Sequence, residues 1–170
     1  ASGSAYWVNQ NRPATAAKTG WFINRDAGAY GSYDKANHDK LFRLCSLHEG
    51  EWFQKNFSVV VQDLKLGTTI NPDSTFSVVI ERSGVVVEKF TGCNLNENSE
   101  DFVAKKIGDQ YLSWNSTAEK YNLIGSYQNR SNYVRVEMSN DWKAGISDAY
   151  MLPFGFFGPA KPKAFSISSG

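Results

Sequence analysis

The sequence predicts an α+β fold that is predominantly β, with an antiparallel or mixed sheet, one covering helix and long loops. Five runs rich in β-branched and aromatic residues lie between positions 41 and 138, and clusters of Gly, Asn, Asp and Pro separate them. One segment, residues 98–111, has the spacing of an amphipathic helix. Aromatic residues make up 14 % of the chain, which favours strands and interfaces.

Residues 1–40 are rich in loop-forming residues. The runs AYWVNQ and GWFINRD are candidate short strands, and RPATAAKTG separates them. Both ends of the chain consist of small residues, which indicates a piece excised from a longer protein. We therefore expect a loop-rich segment over 1–40, a β-rich domain over 41–157 and a flexible segment over 158–170.

The β-rich part begins with LFRLCSLH, which predicts a strand, and GEWFQKN then predicts a turn-like connection. FSVVVQDLKL predicts a second strand, and its three valines indicate burial on both faces. TFSVVIERSGVVVEKF predicts a hairpin that turns at residues 82–84. We expect the strands within 41–90, closed by the alternating strand YVRVEM, to form one sheet and the core.

A single helix is predicted after the hairpin. Asn98 is a suitable N-cap, and Asp101 at the third position suits the positive end of a helix. Val103, Ile107 and Tyr111 recur every four residues, so they predict an apolar stripe on a helix of about 10 to 14 residues. The polar run NSTAEKYNLIGSYQNRSN that follows predicts a loop with a short turn.

Charge and hydropathy exclude several classes of partner. With 170 residues the chain fits one domain, which buries roughly 70 % of its unfolded surface without disulfides or metals. Eighteen basic and 17 acidic residues give a net charge of +1, too small to recruit nucleic acid or an anionic membrane. No apolar run approaches the roughly 18 residues of a membrane span, and we expect no signal peptide. We expect neither nucleic-acid binding nor membrane insertion.

The residues that most resemble a metal site are His38, Asp39, Cys45 and His48. Because side chains alternate along a strand, Cys45 and His48 would point to opposite faces of LFRLCSLH. No Cys-x-x-Cys or His-Glu-x-x-His spacing accompanies them. We expect a core cysteine and two surface histidines, with no metal and no cofactor. Because Cys93 also lies in an apolar run, two buried thiols are favoured over a disulfide.

Catalytic patterns are weak in this sequence. Glu49 and Glu51 flank a glycine, but turn acids point apart, whereas glycosidases hold two carboxyls roughly 5 to 10 Å apart. Cys93 has no histidine near it in sequence, and neither Gly-x-Ser-x-Gly nor a phosphate-binding loop occurs. We therefore expect no catalytic residues and no enzyme activity.

Several segments, in a fixed order, resemble the contractile tail sheath proteins of bacteriophages. They are LFRLCSLHEGEWFQKNFSVVVQDLK, TFSVVIER and VVVEKFTGCNLNENSEDFVAKKIGDQY. Seven residues match the family pattern at a turn, a hairpin end and the joint before a helix: Gly50, Glu51, Trp52, Glu88, Phe90, Asn94 and Leu95. The later NRSNYVRVEM and MLPFGFF are similar to sheaths of large-genome myophages. The resemblance spans residues 41–157.

The chain departs from the family pattern in two ways. Many relatives have Gly-Asn directly after the tryptophan of the turn, whereas this chain has FQKN at residues 53–56. The contacts of that turn therefore cannot be carried over. Sheath subunits are also longer, with an α/β domain and terminal arms that join neighbours through added strands.

The resemblance implies a structural subunit domain. In a contractile tail, copies of the sheath protein form helical rings around the tail tube and contract to drive the tube through the host envelope. The implied partners are other sheath copies, with the tail tube and baseplate contacted by the rest of the subunit. The implied location is the phage tail of the virion, assembled in the cytoplasm of the bacterial host.

Four large aromatic residues are the expected subunit or surface contacts: Trp52, Phe53, Trp142 and Phe156. An alternative function is a glycan-binding β-sandwich module displayed on a virion. That alternative predicts a shallow row of exposed Trp and Tyr side chains. A sheath domain instead predicts aromatic residues that are mostly buried or at polymer contacts.

Overall fold

The computed structural model of the chain describes residues 16–24, 38–146 and 151–158. This part is α+β and mostly β, as predicted. Its strands are β1 (Ala16–Lys18), β2 (Trp21–Ile23), β3 (Lys40–Glu49), β4 (Phe57–Lys65), β5 (Thr75–Arg82), β6 (Val85–Cys93), β7 (Tyr111–Asn115), β8 (Lys120–Ile124), β9 (Val134–Met138) and β10 (Gly155–Phe157). Its helices are α1 (Glu51–Asn56), α2 (Val103–Ile107) and α3 (Asn140–Lys143).

The first sheet is antiparallel and is built around the long strand β3. Strand β9 pairs with one edge of β3, β1 and β2 pair in succession with the other, and β10 pairs with β2. At the break between β1 and β2, the Thr19 N–H donates to the Leu44 carbonyl at 2.9 Å. The Thr19 hydroxyl oxygen accepts the Leu44 N–H at 3.0 Å, which keeps the ladder continuous.

Strands β1 and β2 therefore share a sheet with β3. The expected boundary near residue 40, between a loop-rich segment and a β-rich domain, would divide this sheet. Strand β2 lies within the candidate strand GWFINRD, whereas β1 lies in the run that was expected to separate two strands. The other candidate, AYWVNQ, and the segment 159–170 lie outside the described residues.

The second sheet is an antiparallel meander of β4, β5 and β6. The predicted hairpin turns at Ser83 and Gly84, whose φ angles of 50° and 81° give the two-residue turn that matches strand twist. Strand β5 is central and buried on both faces. Strand β4 is half exposed, so the prediction that its valines are buried on both faces is wrong. The reason is its edge position, since among the described strands it pairs only with β5.

The two sheets pack face to face. The Phe42 ring of β3 stacks on the Phe76 ring of β5 with 5.7 Å between centroids. Strands β3 and β4 lie in different sheets, so the prediction of a single sheet through residues 41–90 is wrong. The segment between them is helix α1 instead of a turn, because Phe53 turns inward and stacks on Phe57 at 4.2 Å.

Helix α2 starts later than predicted, and Asn98 does not cap it. The residues before the helix form turns. Hydrogen bonds made by the buried residue Asn94 stabilise these turns. The Asn94 side-chain amide donates to the Ser99 hydroxyl at 2.8 Å, and the Asn94 carbonyl accepts the Val103 N–H at 2.9 Å. Asp101 pairs with Lys106 at 2.6 Å rather than with a helix N-terminus.

Helix α2 also ends early, so the predicted length is wrong. Val103 and Ile107 are fully buried in the core. The chain then reaches Gly108 at φ 106°, a conformation that ends the helix. Tyr111 consequently begins β7 and is exposed, and it does not complete the apolar stripe.

Strands β7 and β8 form a separate hairpin, with Tyr111 opposite Ile124 and Asn115 opposite Lys120. The sequence predicted a loop at β8. At the base of the hairpin, the Asp109 carboxylate accepts the Tyr127 N–H at 2.7 Å, and the Tyr127 carbonyl accepts the Asp109 N–H at 3.1 Å. These bonds fix the hairpin at one end, and its strands pair with neither of the other two described sheets.

Candidate functional site

A cluster of polar and charged side chains lies on the outer face of the first sheet. Because residues alternate along β3, Arg43 and Cys45 point away from the second sheet, and Glu137 of β9 lies directly opposite Arg43. Around this cluster is a groove of about 900 Å³. Five aromatic side chains line that outer groove: Trp21, Phe102, Tyr111, Tyr127 and Trp142.

Glu137 is the centre of this cluster. It accepts hydrogen bonds from Arg43 at 2.8 Å, the Cys45 thiol at 3.1 Å and Lys18 at 3.4 Å. Burial alone would raise the pKa of Glu137, but the hydrogen bonds from Arg43 and Cys45 and the nearby positive charges lower it to about 2. The carboxylate is therefore ionised at neutral pH, far from the pKa of an efficient general base or acid.

The two thiols are both free and buried, in agreement with the predicted pair of buried thiols. Burial, reinforced by the hydrogen bond to Glu137, raises the pKa of Cys45 to about 11. Burial also raises the pKa of Cys93 to about 11. Because the thiolate is the reactive form, neither side chain is poised as a nucleophile at neutral pH.

The residues that most resembled a metal site are not brought together. Cys45 contacts Glu137 on the outer face of the first sheet, whereas the His48 ring lies 3.3 Å from the Asn132 carbonyl. Within residues 16–24, 38–146 and 151–158, no three His, Cys, Asp or Glu side chains are close enough to hold a metal ion.

Replacing Glu137 with glutamine should remove a pH-dependent part of the stability. Because the folded pKa is depressed, this contribution is present above about pH 4.5 and is lost as the pH falls towards 2. At this partly exposed site we expect it to be on the order of 1–2 kcal/mol. Urea unfolding at several pH values between 3 and 7 would measure it.

The matched control is Glu51→Gln, which removes an exposed carboxylate paired with Lys55 at 3.4 Å. The control should keep the pH slope of the wild-type protein. Equal slopes for wild type and Glu137→Gln would contradict the role assigned to the cluster.

The residues that carry the family resemblance near helix α1 form a structural joint. Gly50 precedes the helix at φ 112°, and Glu51 pairs with Lys55 along its surface. Trp52 is exposed, with the Arg82 guanidinium 5.0 Å from its ring. The joint therefore presents a large aromatic side chain at the surface.

The remaining family-motif residues connect β6 to its neighbours. Glu88 accepts the Ser131 hydroxyl at 2.6 Å and the Asn132 N–H at 2.9 Å, which ties β6 to the turn before β9. Phe90 packs against the core from a partly buried position, and Leu95 is buried within it. Together with the hydrogen bonds of Asn94, these contacts orient α2 against β6.

The four aromatic residues expected at contacts divide into two pairs. Trp52 and Phe156 are 56 % and 45 % exposed. Phe53 is only 8 % exposed, so its expected place at the surface is wrong, because it anchors α1 to the core. Trp142 is partly buried and stacks on Phe102 at 5.3 Å.

Sequence reasoning missed an apolar surface on the hairpin. Four large apolar residues lie on one face of the β7–β8 pair, and each is 55–65 % exposed: Leu112, Trp114, Tyr121 and Leu123. We call this surface the hairpin face. The sequence feature that indicates this surface is the alternation of apolar and polar residues in YLSWN and KYNLI. The surrounding Asn, Ser and Gly residues obscured it because they are typical of a loop.

A second apolar surface lies between the two sheets, where β4 and the strands β1 and β2 leave an opening of about 510 Å³. We call this opening the edge slot. Its lining is mainly apolar and includes Phe22, Phe57, Val59, Val61 and Phe156. The edge slot and the outer groove lie on opposite sides of the first sheet.

Comparison of the chain with protein-family models, curated proteins and solved structures finds no significant match. In the part of the chain that the structure describes, no helix has the length and apolar character needed to cross a bilayer.

Proposed function

We propose that this chain is a structural domain that assembles with copies of itself, of the kind found in phage contractile tail sheaths. The observation that carries the proposal is the hairpin face, which exposes four large apolar side chains on one side of a two-stranded hairpin. An isolated two-stranded hairpin is marginally stable in water. Contiguous exposed apolar surface of this kind marks interaction sites.

The energy available at the hairpin face supports association. Fully burying a large apolar side chain contributes about 1.5–3 kcal/mol. Trp114 and Tyr121 already pack edge to face, with 5.0 Å between ring centroids, so the face is partly ordered before a partner arrives. Less conformational entropy is then lost on binding, which favours association.

The two packed sheets support the assignment to a contractile assembly. Their shared core makes the described domain suited to move as one rigid body while its contacts with neighbours change. The specific assignment to a tail sheath rests on the ordered resemblance through residues 41–157. The tail tube and baseplate remain proposed partners of a larger subunit.

The double variant Leu112→Ser/Leu123→Ser should weaken self-association by about 100-fold, because it removes two apolar side chains from the contact. Sedimentation velocity over a concentration series would measure association, and electron microscopy would show rings or helical tubes. The matched control is Ser113→Ala/Asn122→Ala, a directly paired couple on the other face of the same hairpin.

The control should associate as the wild-type chain does. Undiminished association of Leu112→Ser/Leu123→Ser would show that the hairpin face is not the contact. A wild-type chain that stays monomeric at every concentration would overturn the proposed function.

The outer groove favours a second candidate function, glycan binding. Its aromatic side chains lie beside Arg43, Arg135 and Glu137, a combination of stacking and polar groups suited to sugars. A tryptophan-fluorescence titration with bacterial envelope sugars tests it. Saturable binding would count against a purely structural role, and a flat titration would remove this alternative.

A further inference from the structure

We infer that the hairpin face of one copy docks into the edge slot of another copy, so that the chains associate head to tail. The inference rests on the proposed self-assembly and adds the identity of the two surfaces that meet. Both surfaces are apolar and described, and they belong to different parts of the fold.

The two surfaces are compatible in chemistry, and β4 is long enough to border a docked hairpin. Each strand of the hairpin has five residues, whereas β4, which borders the edge slot, runs for nine. Among the described strands β4 pairs only with β5, so its other edge also offers backbone hydrogen-bonding groups to an incoming strand. In this arrangement an uncharged hairpin face meets a mainly apolar slot, beside an edge of β4 that pairs with no other described strand.

The hairpin face of a chain cannot occupy the edge slot of the same chain. Leu44 and Ser46 of β3 line the slot, whereas Arg43 points to the opposite side of the first sheet. The hairpin borders the outer groove on that opposite side through Tyr111 and Ile124. The hydrogen bonds at its base hold it there, so a chain cannot insert its own hairpin face into its own slot.

The area of the contact indicates its strength. Two of the four hairpin-face residues are aromatic and can each bury about 150–250 Å² when fully covered. Because all four side chains are 55–65 % exposed, together they would bury about 400–500 Å² per partner. The total of about 1,000 Å² is near the lower limit of specific interfaces. One such contact is weak. Because it joins two different surfaces, a pair of docked chains still has one free hairpin face and one free edge slot. Further chains can therefore add through the same contact.

The test uses two variants that each lack one surface. Leu112→Ser/Leu123→Ser removes the hairpin face, and Phe156→Glu places a charge in the edge slot at a side chain that is already 45 % exposed. Each variant alone should be monomeric. An equimolar mixture should form a dimer of twice the 19.0 kDa chain mass and stop there, because only one productive pair of surfaces remains.

The outcomes separate this inference from the proposed function. If wild type assembles but the mixture of variants stays monomeric, head-to-tail docking is wrong and self-assembly stands. If Phe156→Glu alone still assembles, the hairpin faces meet each other or another surface, and the inference is again wrong. A monomeric wild-type chain would overturn both proposals.

A cross-linking experiment guards against misfolding of the variants. Ser116→Cys at the exposed turn of the hairpin and the exposed slot position Ser58→Cys are made in separate chains, and the native Cys45 and Cys93 are buried. A short bismaleimide should link the two chains in a mixture but neither chain with itself. Self-linking of the Ser116→Cys chain would instead indicate paired hairpins and overturn the inference.

Discussion

Replacing Phe42 with alanine should lower the free energy of unfolding by about 3–5 kcal/mol. The side chain is fully buried between the two sheets. Its ring lies 5.1 Å from Phe22 in its own sheet and 5.7 Å from Phe76 in the other, measured between centroids. Alanine would leave a cavity at the contact that joins the sheets, and a rigid strand cannot collapse to fill it.

Urea unfolding followed by tryptophan fluorescence would measure the effect of Phe42→Ala. Because small domains are stable by about 5–15 kcal/mol, the variant should unfold at a much lower urea concentration. The control is Phe154→Ala, which removes the same ring from a position that is 70 % exposed and should have little effect. A loss below about 1 kcal/mol for Phe42→Ala would contradict the face-to-face packing of the sheets.

The second large effect is expected at Gly108, where alanine should destabilise the fold by about 3 kcal/mol or more. Gly108 has φ 106° and ψ 154°, a conformation that side chains rarely adopt. A Cβ atom there would lie 2.3 Å from the Asn129 Cα, which is backbone and cannot move aside locally. The Gly108 carbonyl also accepts the Val136 N–H at 2.7 Å, which resists displacement.

Gly50→Ala is a close control for this substitution. Gly50 has nearly the same backbone conformation, φ 112° and ψ 162°, but a Cβ atom there meets no atom within 4 Å. The difference between the two free energies of unfolding therefore isolates the contact with Asn129, and we expect about 1–3 kcal/mol. Equal losses would show that the backbone conformation alone accounts for the effect.

Gly108 also affects the position of the β7–β8 hairpin, which carries the proposed contact surface. The Asn129 side chain accepts the Gln110 N–H at 3.0 Å and donates to the Gln110 carbonyl at 2.8 Å, directly before β7. A substitution at Gly108 would displace this pair and tilt the hairpin. We therefore expect chains with altered Gly108 to lose self-association along with stability.

Local pattern was sufficient to predict several elements. The apolar run LFRLCSLH, the alternation of YVRVEM and the turn residues Ser83 and Gly84 led to β3, β9 and the β5–β6 hairpin. These features depend on neighbouring residues, whose preferences act over a few positions. The periodicity around Val103 and Ile107 likewise marked the buried side of α2, although it overran the end of the helix at Gly108.

The candidate surfaces could not be predicted because they depend on residues far apart in the chain. Cys45 and Glu137 meet through the pairing of β3 with β9, and the edge slot combines β4 with Phe156. The hairpin face was obscured because polar residues alternate with its apolar ones and give KYNLI the composition of a loop.

The sequence by itself therefore determined the class of fold, most of the long strands and the burial of both cysteines. Only the tertiary structure decided that β3 and β4 separate into two sheets, that the N-terminal strands complete the first sheet, and that one face of a hairpin is left apolar and uncovered. The physical reason is the distance along the chain over which each effect acts. Hydrophobic alternation is a local property of a strand, whereas the strand that pairs with a given edge is determined by the packing of the whole core.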